Sequence, residues 1–105
     1  MADPDKAKLR KLSEAAFGQQ YRLECMLEIG LDLRRAVSLT DLADRVGLRA
    51  SQIQGAFKAL VDVGLLSPAP AADRRRKAFQ PVARSAAWRW AAEIAETAAT
   101  PPASE

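Results

Sequence analysis

The stretch SLTDLADRVGLRASQIQGAFKALVDVGLL, residues 38–66, decides the fold. It holds two amphipathic segments separated by a short turn. In the first, Leu39, Leu42, Ala43 and Val46 recur at helical spacing and supply a buried side. Ser38 is placed as its N-cap, with Asp41 three residues later in a weaker form of the capping box. Asp41 also favours the positive end of the helix dipole, and Gly47 permits the tight turn that ends the helix. The second helix is expected over residues 50–63, burying Ile53, Phe57 or Ala56, Leu60 and Val61. Gly64 fits as its left-handed C-terminal residue. Two helices joined through a glycine-containing turn make a helix-turn-helix. Leu42, Val46, Leu48, Ile53 and Ala56 occupy the positions that lock such a pair, and Ala43 is small where the helices cross.

The outer side of the second helix is unusual. Ser51, Gln52 and Gln54 stand where a solvated helix would ordinarily carry Lys and Glu, and Gly55 leaves one point bare. A mid-helix glycine costs about 1 kcal/mol relative to alanine. It also allows close approach of a phosphate ribbon, a thymine methyl or another protein. Gln matches the donor and acceptor pair of adenine, and Ser is permissive.

Outward from this pair the period changes. Residues 65–67 and 78–82 form two short apolar pieces around Pro, Ala and charge, which read as a β-hairpin whose prolines suit edge strands. Its tip holds Asp73 and the cations Arg74, Arg75, Arg76 and Lys77. Upstream, Leu9, Leu12 and Ala16 mark a helix over residues 5–17 that stops at Gly18, and QQYRLECMLEIGL carries a second with Leu23, Met26 and Leu27 as its stripe. The last element, RSAAWRWAAEIAETAA, is a helix capped by Ser85. The expected fold class is mainly α with a small hairpin. One domain is expected over residues 6–98, between a flexible N-terminus over residues 1–5 and a flexible tail over residues 99–105.

At 105 residues the chain suits one domain with a modest core. The net charge of +3 hides an asymmetry: residues 1–48 carry eight basic and eight acidic side chains, whereas residues 49–90 carry eight basic against two acidic. A basic block after a neutral one suggests a polyanion for a single face. The chain contains one cysteine and no histidine, which disfavours a disulfide framework and a metal site, and removes the commonest general base. Catalysis, metals and cofactors are therefore not expected. No apolar run approaches the ~20 residues that cross a bilayer, and MADPDKAKLR lacks the apolar core of a secretion signal. A cytoplasmic protein without a membrane partner is the expectation. Cys25, flanked by Glu24, lacks the cationic neighbour of a reactive thiol and reads as a small, partly buried side chain.

Trp88 and Trp90 lie about 200° apart around a helix, so both cannot face the same way. One is expected to pack on the domain and the other to meet a partner. With Leu9, Leu12, Ala91, Ile94 and Ala95 they form the expected homodimer interface.

Taken together, YRLECMLEI, SLTDLADRVGL and SQIQGAFKALVDVGLL followed by the hairpin resemble a bacterial winged helix-turn-helix transcriptional regulator of the ArsR or MarR type. The resemblance covers residues 9–98. It implies a second motif helix that enters the DNA major groove, a hairpin wing on phosphates or in the minor groove, and flanking helices that build a homodimer. Carried onto this chain, the groove-facing positions are Arg49, Ala50, Ser51, Gln52, Gln54, Gly55 and Lys58. Arg49, Ser51, Gln52, Gln54 and Gly55 then meet bases, while Lys58 and the wing cations Arg74, Arg75, Arg76 and Lys77 hold the backbone. Such a protein binds double-stranded DNA specifically and regulates transcription, as a repressor that occludes a promoter. The chain departs from the pattern in lacking an Arg midway along the exposed helix face. Arg49 also stands where a Ser or Thr cap is common, and the Cys and His of metal-sensing members are missing. The alternatives are a DNA-organising or partition protein and a winged-helix module whose exposed face binds protein.

Overall fold

The computed structural model describes residues 6–69 and 78–99. These residues are mainly helical: α1 Lys6–Phe17, α2 Arg22–Gly30, α3 Leu39–Val46, α4 Ala50–Asp62, the strands β1 Leu66–Pro68 and β2 Phe79–Pro81, and α5 Ala87–Ala99. None of the described helices is long and apolar enough to cross a membrane.

The α3–α4 pair is built by local signals in its sequence. Ser38 is extended, and its hydroxyl accepts the Asp41 N–H at 3.1 Å, capping α3. The Asp41 carboxylate does not complete the box. It lies 3.5 Å from both Arg35 and Arg45 instead. Gly47 closes α3 at φ +74°, and the following amide, Leu48 N–H, reaches back to the Ala43 carbonyl at 3.0 Å. The same arrangement ends α4. Gly64 adopts φ +86°, Leu65 N–H donates to the Leu60 carbonyl at 2.9 Å, and the chain turns directly into β1.

α2 is the hub, touching each of the other four helices. Its Leu23, Cys25, Met26 and Ile29 are buried together with Leu42, Ala43 and Val46 of α3 and Ile53, Ala56, Phe57 and Leu60 of α4. The expected α2 stripe was narrower, because an element surrounded on several sides needs a wider apolar arc than an amphipathic surface helix. Leu27 is half-buried, Cys25 is fully buried, and Ala16 of the expected α1 stripe is exposed. Burial, reinforced by the Glu24 charge, pushes the Cys25 thiol up to about 12, which leaves it an inert core group. Both Phe57 and Ala56 are buried, so the two candidate α4 core positions are both used, while Val61 is half-buried.

β1 and β2 pair antiparallel, with Leu66 opposite Pro81 and Pro68 opposite Phe79. Phe79 also exchanges two 2.8 Å backbone hydrogen bonds with Val37, so the segment before α3 pairs with the hairpin root. The Trp88 indole N–H donates to the Val82 carbonyl at 3.0 Å and ties α5 to the end of the hairpin. Ser85 accepts the Ala87 N–H at 3.1 Å, as expected of a helix cap.

Candidate nucleic-acid interface

The outer arc of α4 is open to solvent. Ser51, Gln52, Gln54, Gly55 and Lys58 are all exposed, as is Arg49 at the N-cap, whereas Ala50 is half-buried and packs on the core. The candidate base-reading residues are thus presented together on one continuous surface, with two differences from the sequence reading. The Gln52 carbonyl oxygen accepts the Arg49 backbone N–H at 2.9 Å. An arginine side chain has no acceptor with which to cap the helix itself, so Gln52 supplies only the reciprocal half of a capping box, and the bond a Ser or Thr cap would accept is not made. A bidentate contact to adenine needs both ends of the amide, so Gln52 acts as a cap and Gln54 remains the glutamine suited to that role. Lys58 pairs with Asp62 one turn on, at 2.9 Å. That hydrogen bond and the Asp62 charge raise the lysine pKa, so the cation is fully formed but already faces an anion.

One flank of this arc is the hairpin root. Phe57, about 200° round the helix from Gly55, meets Phe79 edge to face at 5.3 Å between ring centroids. The strands therefore start beside α4. The wing cations Arg74, Arg75, Arg76 and Lys77 lie outside the described residues.

The opposite flank is the turn between α1 and α2; the sequence pattern begins the second helix at Gln19, whereas α2 starts at Arg22 and Gln19, Gln20 and Tyr21 belong to the turn. Gln19, Gln20 and Tyr21 face Gln52, Gly55 and Ala56 across a groove of about 240 Å³. The turn is held from inside. Ser13, fully buried on α1, donates its hydroxyl to the Gln19 carbonyl and accepts the Leu23 N–H at 3.0 Å. Arg22 donates from Nε to Gln19 Oε1 at 2.6 Å while its guanidinium lies over the Phe17 ring at 5.4 Å. A serine four residues after Leu9, on the inward side of α1, was the one sequence signal that this turn is anchored. Gly55 lies at the edge of the groove, and a Cβ there would sit 3.6 Å from Gln19 Nε2, an ordinary contact. The fold itself does not require glycine at this position.

No family model, curated protein or solved structure matches the chain.

The expected homodimer interface is largely redistributed. Leu9, Trp88 and Ala91 are buried in the core of the single chain, because α1 and α5 turn their most apolar arcs toward α2. They are core residues rather than partner contacts. Leu12, Ile94 and Ala95 are half-buried against that core. Trp90 is the outward member of the tryptophan pair, 47% exposed and edge to face with Phe17 at 5.2 Å. A second groove of about 380 Å³ lies between α1, α2 and α3, lined by Leu9, Glu24, Leu27, Glu28, Leu31 and Arg45 among others. Its charges pair within the chain: Arg10 meets Glu24 at 2.7 Å and Arg45 meets Glu28 at 3.0 Å.

Proposed function

We propose that α3, α4 and the hairpin form a winged helix-turn-helix and that the chain is a sequence-specific binder of double-stranded DNA, acting as a homodimeric transcriptional regulator. The observation that carries this reading is the outer arc of α4. It is polar, uncharged over Ser51, Gln54 and Gly55, and bordered by a hairpin root whose loop carries three consecutive arginines. A helix with this surface fits the width of a major groove, and arginines in the sequence between the two strands would suit the phosphates at the groove's edge. Gln54 and Ser51 would read base edges, with Gly55 admitting the strand closely. Paired copies would set two such helices ~34 Å apart and occlude a promoter as a repressor does. Trp90 is the large exposed aromatic available to that pairing.

The Lys58–Asp62 pair, which lowers the net charge of α4, favours a second reading in which the same face binds a protein. Salt dependence separates the two. Affinity for a labelled duplex should fall linearly with log salt, and replacing Arg74, Arg75 and Arg76 together with Ala should flatten that slope by about 3. An unchanged slope removes the wing from the mechanism, and the absence of duplex binding rejects the DNA reading in favour of the protein one.

A further inference from the structure

We infer that Gln19 is a preoriented hydrogen-bond donor to a backbone phosphate of the bound duplex, and that Gly55 is bare to leave that phosphate room. The inference rests on the DNA reading and names a contact outside the helix-turn-helix and hairpin. Four observations converge on it.

An amide side chain can present either end, so its orientation carries information only when a neighbour fixes it. Arg22 is a donor without acceptor capacity, and its Nε reaches one end of the Gln19 amide at 2.6 Å. That end is therefore the carbonyl oxygen, and the NH2 group is turned toward Gly55, with Nε2 3.6 Å from where a Cβ at that position would lie. The main chain beneath is fixed as well, because Ser13 binds the Gln19 carbonyl from a fully buried position. Beside it, the Arg22 guanidinium rests on the Phe17 ring, while Arg10, over the Tyr21 ring, is already paired with Glu24 at 2.7 Å, so Arg22 is the cation next to the Gln19 amide. An NH2 group held in place by packing costs little further entropy to engage.

The placement agrees with this chemistry. The groove between Gln19, Gln20 and Tyr21 and the α4 residues Gln52, Gly55 and Ala56 runs along the side of α4 opposite Phe57 and the hairpin. If the outer arc of α4 enters a major groove, the strand bordering it on this side meets the turn, while the strand on the other side meets the wing. The donor offered there is neutral, so it positions the duplex as phosphate contacts do, without reading sequence.

The test uses the full chain and a labelled random-sequence duplex. Gln19→Ala should weaken binding about tenfold, the loss expected for one hydrogen bond to a charged acceptor, with an unchanged thermal melt. Gln19→Glu keeps an acceptor for Arg22 but replaces the donor by an anion, so it should bind worse than Gln19→Ala. If instead Gln19→Glu binds like the unaltered chain, Gln19 serves only to hold Arg22 and the inference is overturned. It is equally overturned if Gln19→Ala binds as well as the parent while the triple arginine variant is still weakened, an outcome that leaves the DNA reading standing. Failure of the unaltered chain to bind any duplex removes both.

Discussion

Two grooves among the described residues teach opposite lessons. The larger, about 380 Å³ between α1, α2 and α3, is lined by charged groups that already have partners. Glu24 is held by Arg10 at 2.7 Å and Lys6 at 3.9 Å, and Arg45 by Glu28 at 3.0 Å. Lys6 also reaches the Val46 carbonyl at 3.4 Å. The smaller, about 240 Å³ beside α4, is lined by a glycine, glutamines and an oriented amide. The first groove is a seam whose polar groups hold three helices together. The second leaves hydrogen-bonding capacity facing outward. Volume alone does not mark a recognition surface, because recognition needs polar groups that the fold has not already engaged.

That contrast can be broken most severely at Glu24. Its side chain is 5% exposed, and Glu24→Ala would strand Arg10 and Lys6 beside the seam. Breaking a buried pair costs about 3–5 kcal/mol. Because both cations reach solvent here, about 2–3 kcal/mol is expected, measured by urea unfolding. Duplex affinity per folded molecule should stay unchanged. A loss of affinity without a loss of stability would show that the seam, too, serves binding.

The smaller effect runs the other way. Gly55 has helical backbone angles and room for a methyl group, so Gly55→Ala should stabilise the chain by up to about 1 kcal/mol in the same unfolding assay. It should simultaneously weaken duplex binding, since the methyl occupies the edge of the groove. A variant both more stable and equally tight would make Gly55 a tolerated blemish of α4.

The parts of this fold that follow from neighbouring residues were legible in the sequence. Ser38, Gly47, Gly64 and Ser85 each end or begin a helix through contacts within a few positions, and all four occur as expected. The exposed arc of α4 was legible for the same reason, since a period of 3.6 residues sorts its inner from its outer side. What needed the whole fold was which arc of α1 and α5 faces α2. Sequence pattern identified Leu9, Trp88 and Ala91 as apolar but could not say that the chain itself covers them. The Val37–Phe79 pairing joins residues 42 positions apart through a single pair and leaves no periodic trace. Gln19 was missed because no periodic pattern shows that Arg22 orients its amide, that Ser13 holds its main chain or that Gly55 lies across from it.

The claim that carries the rest is that duplex DNA lies along the open side of the fourth helix, between the hairpin and the turn after the first helix. Backbone amide chemical-shift mapping during titration with a duplex tests it residue by residue. The account predicts shifts concentrated at Gln19, Ser51, Gln54 and Gly55, with Glu28, Leu31 and Asp41 unmoved. Shifts confined to Glu28, Leu31 and Asp41, or none at saturating duplex, would contradict it.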